Sequence, residues 1–371
     1  MKTLVVVISA RASYSRIRSV VTELSTSMSV QIRIVLIASA AMKKYGRVQE
    51  FLNSQGIQVD WKIESQLDAE NISSMAKTTG LAILGLSDYL LNTKPQGLLV
   101  IGDRHETIAA SICGAYLGIK TFHIQGGERT GNIDDRVRFA NTFLSDVHLV
   151  SNSSAKENLE DCGIDSHSII VTGCPSLDFI DSALETDLPS EIISGVGKEI
   201  MEIIKDEYVI VIQHSETTSI LTPKDQIQPT LRAIQELGIP AIWIWPNSDF
   251  GGEEIIREIR RMREAGFLKH VHFEKSFEPE LFINLLSRAS CIVGNSSVGI
   301  RECSYLGVPS VNIGTRQKDR KTAENVMNVE FDYDQILEGI RMIKSHKYER
   351  STLYGDGKSA IRIRNFFESF L

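Results

Sequence analysis

LLVIGDRHETIAASICGAYLGIKTFHIQGGERTGNIDD, residues 98–135, reads strand, polar turn, helix, strand, polar turn. Leu98-Leu99-Val100-Ile101 is a short, wholly apolar run of the kind that forms a strand buried on both faces of a parallel sheet. It breaks at Gly102-Asp103-Arg104-His105-Glu106, and a small-residue helix follows from Thr107 until Gly118 stops it after Leu117. A second strand, Lys120 to Ile124, runs into Gln125-Gly126-Gly127-Glu128-Arg129. Two neighbouring strands therefore carry Asp103, Arg104, His105, Glu128 and Arg129 to their carboxyl ends, the edge at which open α/β sheets bind ligands. Either turn alone reads as a solvated, charged loop. Two such turns one βα unit apart favour a site.

Outward from this stretch the alternation continues. Upstream lie a strand (Thr3 to Ser9) and a turn, Arg11-Ala12-Ser13-Tyr14-Ser15, into a helix with Ile17, Val20, Val21 and Leu24 at helical spacing. A strand (Gln31 to Ala38), a helix (Met42 to Gln55, stopped by Gly56), a short strand (Val59 to Ile63), a polar loop (Glu64 to Ser73) and a helix (Met75 to Leu91) complete that side. Downstream come a helix (Ile133 to Leu144), a strand (Val147 to Val150), a helix (Ser153 to Asp161) and a strand (Ser168 to Val171). Such alternation predicts a doubly wound parallel sheet.

The second half starts the pattern again. After a mixed stretch from Ser176 to Lys205, with Leu188-Pro189-Ser190 and Gly195-Val196-Gly197 as linker signals, Tyr208 to Gln213 is a strand ending in His214-Ser215-Glu216. A helix (Lys224 to Leu237), a strand (Ala241 to Trp245) ending in Pro246-Asn247-Ser248-Asp249, and a helix (Glu253 to Glu264) follow. Then come a strand (His270 to Phe273), a helix (Pro279 to Ser287), a strand (Cys291 to Val293) and a helix (Val298 to Leu306). A strand (Ser310 to Ile313), a basic loop and a helix from Lys358 to Leu371 close the chain. The expected fold is α/β, two Rossmann-like halves, with no repeat between them.

Composition narrows the function. A formal charge of -7 on 371 residues argues against nucleic acid, which calls for a basic face. The apolar core of MKTLVVVISARA spans about six residues, too short for a signal peptide. No run approaches the roughly 18 apolar residues of a membrane span. Cysteines 113, 162, 174, 291 and 303 form no CxxC and no metal spacing, and most sit in the apolar or small-residue contexts of reduced buried thiols, as expected of a cytoplasmic protein. No GxGxxG follows the first strand of either half, which argues against a nicotinamide cofactor; no cofactor and no metal is expected.

Two stretches of the second half point to phosphate. Gly294-Asn295-Ser296-Ser297 opens a helix, where backbone N–H groups and serine hydroxyls suit an anion. The next strand leads into Gly314-Thr315-Arg316-Gln317-Lys318-Asp319-Arg320-Lys321, a loop whose cations fit a diphosphate. His214 and Arg11 each end the first strand of a half.

Taken together these residues match a known pattern. Ile101-Gly102-Asp103-Arg104, His123-Ile124-Gln125-Gly126-Gly127-Glu128, Gly131-Asn132-Ile133-Asp134-Asp135, Gly173-Cys174-Pro175-Ser176, Gly294 to Ser297 with Arg301-Glu302, and Gly314 to Gln317 with Arg320 and Glu324-Asn325-Val326 occur in one order. In these motifs nearly the whole chain resembles the hydrolysing UDP-N-acetylglucosamine 2-epimerases of bacterial sialic acid pathways and of the bifunctional animal enzyme. The resemblance implies a GT-B fold with the nucleotide sugar in a cleft between domains at 1–180 and 181–355, and a helix, 356–371, returning to the first. It also implies catalytic roles for Asp103, Glu128, Asp134, His214 and Arg104. Arg11 and Ser15 fall to the nucleotide, Ser296, Ser297 and Arg316 to the phosphates and Glu302 to the ribose. Gln125, Asn247, Arg301 and Arg320 join them as substrate-binding residues.

The implied reaction converts UDP-N-acetylglucosamine, or a close UDP-2-acetamido sugar, to UDP and free N-acetylmannosamine or its analogue, in a homodimer or homotetramer. A non-hydrolysing epimerase, a GT-B glycosyltransferase and an impaired nucleotide-sugar-binding protein are the alternatives. Three positions depart from the family. Ser13 replaces an acid, Gln125 stands where animal enzymes carry a catalytic glutamate, and Ser215-Glu216 follows His214 where proline is usual. Glutamine takes no proton at pH 7, which leaves that work to Glu128, Asp103 or Asp134.

Overall fold

In the strand β1 (Lys2–Ile8), Leu4, Val6 and Ile8 turn to one face of a sheet and Val5 and Val7 to the other. All five are buried, as a central parallel strand covered on both sides requires. The computed structural model describes residues 1–45, 47–67, 73–131, 133–185, 200, 202–246 and 251–371. Around β1 run β2 (Val30–Ile37), β3 (Val59–Ile63), β4 (Gly97–Ile101), β5 (Thr121–Ile124), β6 (Val147–Val150) and β7 (Ile169–Val171). They form one seven-stranded parallel sheet in the order β3-β2-β1-β4-β5-β6-β7.

The second sheet repeats the winding. β8 (Val209–Ile212), β9 (Ala241–Ile244), β10 (Val271–Glu274), β11 (Cys291–Gly294), β12 (Ser310–Ile313) and β13 (Val326–Val329) pair in parallel in the order β10-β9-β8-β11-β12-β13. In each sheet the strand order reverses beside the first strand, between β1 and β4 and between β8 and β11. At such a reversal the connections leave in opposite directions and open a crevice at the carboxyl ends. The doubly wound α/β halves expected from the alternation are both present.

Contacts divide the chain into two units. One holds residues 1–129, 134–178 and 354–371; the other holds 130–133 and 179–353. The helix Ser359–Phe370 belongs to the first. Its Ile363 and Phe367 are fully buried in that unit's core, with Phe367 edge-on to Phe122 at 4.7 Å between ring centroids. Its first turn is held by Asp178, which accepts from the backbone N–H of Ser359 (2.8 Å) and Ala360 (2.7 Å).

Several elements differ from the sequence reading. Arg11 to Ser15 is not a turn before a helix but the first turn of the helix Arg11–Ser25. The helix expected over Met42 to Gln55 is confined to Val48–Ser54, after 3₁₀ turns at Ala38–Ala41 and Lys43–Tyr45. The helix expected over Val298 to Leu306 is a 3₁₀ turn, Ser297–Gly299, followed by the five-residue helix Glu302–Leu306. Gly299 explains the break: a Cβ there would lie 2.4 Å from Ser310 Oγ, so the segment presses too closely on β12 for a regular helix to start.

Strand β13 and the helix Tyr333–Ile343 lie where the sequence pattern indicates only a basic loop. β13 is a four-residue edge strand with one residue buried, too short to show alternation. The helix shows what to look for: Asp332 accepts from Gln335 N (2.9 Å), and Ile336, Ile340 and Ile343 recur at helical spacing. Within Ser176 to Lys205 the helix Ile180–Glu185 is present, while the linker signals at 188–190 and 195–197 lie outside the described residues. No described helix is long and apolar enough to cross a membrane.

Candidate active site

The first crevice is built from the ends of β1, β4 and β5. Asp103 follows β4 and is 6% exposed, so its charge needs partners. Arg16, on the helix after β1, donates from Nη1 to Asp103 Oδ1 at 3.1 Å. Arg138 donates from Nη2 to Asp103 Oδ2, from Nη1 to Asp135 Oδ1, and from Nη1 to the Glu128 carbonyl at 2.7 Å. Arg138 is 1% exposed. Burial pulls its pKa down, but Asp103, Glu128 and Asp135 outweigh that and raise it above the usual guanidinium value. One buried guanidinium thus organises the acidic residues at two strand ends.

Glu128 is itself buried, and its Oε1 accepts from Ser151 Oγ at 2.7 Å at the end of β6. The turn before it needs glycine: Gly127 has φ +78°, and a Cβ there would sit 2.2 Å from the Ala155 carbonyl. Gln125 adopts φ +65°, unusual for a residue with a side chain, and its Nε2 lies 3.1 Å from Cys174 Sγ. Asp134 occupies the first turn of the helix Ile133–Phe143 and is half-buried. Arg104 pairs through Nε with the buried Glu106 at 2.7 Å, and His105 Nδ1 lies 3.0 Å from the same carboxylate. Burial works against the Glu106 charge, but Arg104 and His105 prevail and hold its pKa far below the usual carboxylate range. Arg11 and Ser15 share the first helical turn, with Ser15 Oγ donating to the Arg11 carbonyl at 3.2 Å.

Beneath this site two histidines face each other across β5 and β6, His123 opposite His148. His123 Nε2 lies 2.9 Å from the Gly102 carbonyl, an arrangement that needs a proton on Nε2 and braces the turn carrying Asp103. Burial, above all, pushes both histidines down to about 4. The unfolded chain takes up these protons near pH 6.5 and the folded one only near 4, so stability is lost as pH falls through that interval. The expected slope is at most about 1.4 kcal/mol per pH unit per histidine. Urea midpoints at pH 7 and pH 5 should show it, and His148→Gln should flatten it; an unchanged slope would assign the acid sensitivity elsewhere.

The second crevice joins the ends of β8, β11 and β12. His214 N donates to Asn295 Oδ1 (2.8 Å) and Asn295 Nδ2 returns a bond to His214 O (2.9 Å), so the two strand ends are laced together. The Asn295 carbonyl then accepts from Arg316 Nη1 and Gln317 Nε2, each at 3.1 Å. Ser296 and Ser297 stand half-buried at the same edge. The backbone N–H donors expected to receive phosphate there are partly used: Val298 N is 3.4 Å from Ser296 Oγ, and Gly299 N donates to Ser296 O. The serines and Arg316, more than a helix N-terminus, are what this edge offers an anion. Arg301 is buried and Glu302 half-buried one turn further on, Arg320 is buried in the loop after β12, and Asn247 lies outside the described residues.

Sequence reasoning therefore named most residues at both edges but not those that fix them. Arg16, Arg138 and Ser151 went unread, although Asp135 and Arg138 at i, i+3 on a helix are a legible pair. The guanidiniums of Arg16 and Arg138 both reach Asp103. Among the described residues, no cluster of histidine, cysteine, aspartate and glutamate could hold a metal.

Comparison with known proteins covers the whole of this architecture. The chain is 31% identical over 367 residues to a UDP-N,N'-diacetylbacillosamine 2-epimerase (hydrolyzing) of Legionella pneumophila, covering 98% of this chain and 94% of that one. It is 28% identical over 369 residues to a UDP-N-acetylglucosamine 2-epimerase of Neisseria meningitidis, covering 99% and 94%. The crystal structure of UDP-GlcNAc 2-epimerase from Neisseria meningitidis bound to UDP-GlcNAc superposes with a TM-score of 0.85 at 21% identity, over 100% of both chains. That structure shares the two-domain α/β fold of GT-B type. A family profile described as UDP-N-acetylglucosamine 2-epimerase matches residues 22–368, from the helix that carries Arg16 to the helix that closes the first unit's core. With the ends of β4, β5, β8, β11 and β12 inside that span, the chain belongs to the UDP-N-acetylglucosamine 2-epimerase family.

Proposed function

We propose that the protein is a hydrolysing 2-epimerase that converts UDP-N-acetylglucosamine, or a close UDP-2-acetamido sugar, to UDP and free N-acetylmannosamine or its counterpart. The observation that carries this reading is the pair of buried acids, Asp103 and Glu128, at neighbouring strand ends, with Arg138 bonded to the carboxylate of the first and the backbone carbonyl of the second. The Legionella relative named as hydrolyzing supports the choice of branch.

A sugar C2–H is too weakly acidic for a carboxylate to remove directly. Departure of UDP gives C1 oxocarbenium character and acidifies C2–H. Arg316, His214, Ser296 and Ser297, with Arg301 and Arg320, stabilise the leaving diphosphate. Glu302 takes the ribose, Arg11 and Ser15 the nucleotide, and Gln125 and Asn247 the sugar. Asp103, with one guanidinium on each oxygen, serves to orient Arg16 and Arg138. Glu128 removes the C2 proton, giving a 2-acetamidoglucal. Water adds at C1 while Asp134 delivers a proton to C2 on the opposite face, with Arg104 beside the reacting groups; the proton that the water sheds restores Asp134, and Glu128 releases its proton to solvent.

Proton NMR with UDP-N-acetylglucosamine in D₂O tests this. Free N-acetylmannosamine deuterated at C2, together with UDP, is the expected product. A product still linked to UDP would make the enzyme non-hydrolysing. Gln125 favours a second reading, a nucleotide-sugar-binding protein without turnover, and UDP binding with an unchanged sugar spectrum would select it.

A further inference from the structure

Glu216, at the end of β8, has no part in the scheme above. It is 5% exposed, and a loop about a hundred positions further along takes up both of its oxygens. Oε1 accepts from the backbone N–H of Thr315 and of Arg316, each at 2.8 Å, and Oε2 accepts from the Thr315 hydroxyl at 2.8 Å. The backbone of Glu216 is held by the buried Gln226. Its Oε1 accepts from Glu216 N at 2.8 Å, and its Nε2 donates to the carbonyls of Glu216 (3.1 Å) and Leu221 (2.9 Å). Gly314 lets the loop close: at φ +75°, a Cβ would lie 2.6 Å from Glu216 Oε1 and 2.4 Å from the Phe331 ring.

Two consecutive N–H groups aimed at one oxygen is how backbone grips an anion. Here the anion is the protein's own. Bonds to a charged acceptor are roughly twice as strong as neutral ones. The backbone of Arg316 is thereby fixed by Glu216 while its guanidinium is fixed by the Asn295 carbonyl. We infer that Glu216 is the positioning residue for Arg316, seated in the N–H pair of Thr315 and Arg316 so that the guanidinium is ordered before a diphosphate arrives. The inference rests on the assignment of Arg316 to the diphosphate. A group ordered on folding loses less freedom on binding, and the gain appears as affinity.

Calorimetric titration of the full chain with UDP tests it, with melting curves of each unliganded variant. Arg316→Ala should weaken UDP binding roughly 10–100-fold, the range for a lost charge-assisted bond. Glu216→Ala should weaken it about tenfold through lost pre-organisation. Glu216→Gln retains an oxygen for both N–H groups and can turn its amide to the Thr315 hydroxyl, so it should recover to within about threefold of the parent. The double variant Glu216→Ala/Arg316→Ala should bind no more weakly than Arg316→Ala alone, since Glu216 acts through Arg316.

Parent-like binding by Glu216→Ala, additive losses in the double variant, or a glutamine variant as weak as alanine would each overturn the positioning role and leave Arg316 in place. Parent-like binding by Arg316→Ala would instead remove the diphosphate assignment itself. If alanine at 216 unfolds the protein, Thr315→Val, which deletes only the Oε2 bond, carries the same comparison.

Discussion

Arg138→Met is expected to lower the melting temperature of the protein by roughly 6–20 °C and to abolish turnover in what remains folded. The side chain is 1% exposed and answers Asp103, Asp135 and the Glu128 carbonyl at once. Methionine fills the volume and removes the charge, leaving Asp103 buried with Arg16 as its remaining cation in that pair of contacts. Breaking a buried ion pair from one side costs about 3–5 kcal/mol, most of it the desolvation of the carboxylate left behind. The companion Arg138→Met/Asp103→Asn removes both charges and should recover much of the melting temperature, but not activity. Scanning calorimetry separates the cases. A single variant melting within about 2 °C of the parent would mean that water or another residue replaces Arg138.

Glu128→Gln should lower kcat by about 10²–10⁴-fold, the usual worth of a positioned acid–base group, and leave UDP affinity within about twofold of the parent. Glutamine is nearly the same shape and can still accept from Ser151 Oγ, so folding is not at stake. What it cannot do is hold the C2 proton. Ser151→Ala, which loosens Glu128 without removing it, should cost less, about tenfold. Single-turnover measurements with UDP-N-acetylglucosamine report the step directly. A Glu128→Gln enzyme with kcat within tenfold of the parent would pass the proton-abstracting role to Asp134 or Asp103.

The sequence carried the fold because its strongest signals are local. Leu98 to Ile101 or Cys291 to Val293 must be buried wherever the chain goes, and a helix such as Ser153–Asp161 has both its ends fixed by its own residues. Ser296 and Arg316, the residues proposed for phosphate, stand out for the same reason, being small or cationic groups just past an apolar run. What escaped notice depends on distant partners. Nothing near Arg138 in the chain says that it meets Asp103, 35 positions earlier. Glu216 showed only as a departure from a family pattern, because its role exists only where the loop after β12 reaches the residues that follow β8. The broken helix after Ser297 had a similar origin, the approach of Gly299 to Ser310 on a neighbouring strand.

The helix Ser359–Phe370 sets the order in which the protein is completed during synthesis. Phe122 leaves the ribosome 245 residues before Phe367, the ring that covers it. At about 5–20 residues per second this leaves the strand end uncovered for roughly 10–50 s. The other six-stranded half has all its strands translated by Val329, so it can close its own sheet while the first half still lacks its last piece. The half that is made first is finished last. A truncation before Ser359 would therefore strand the earlier half, not the later one, as the part that chaperones and proteases recognise.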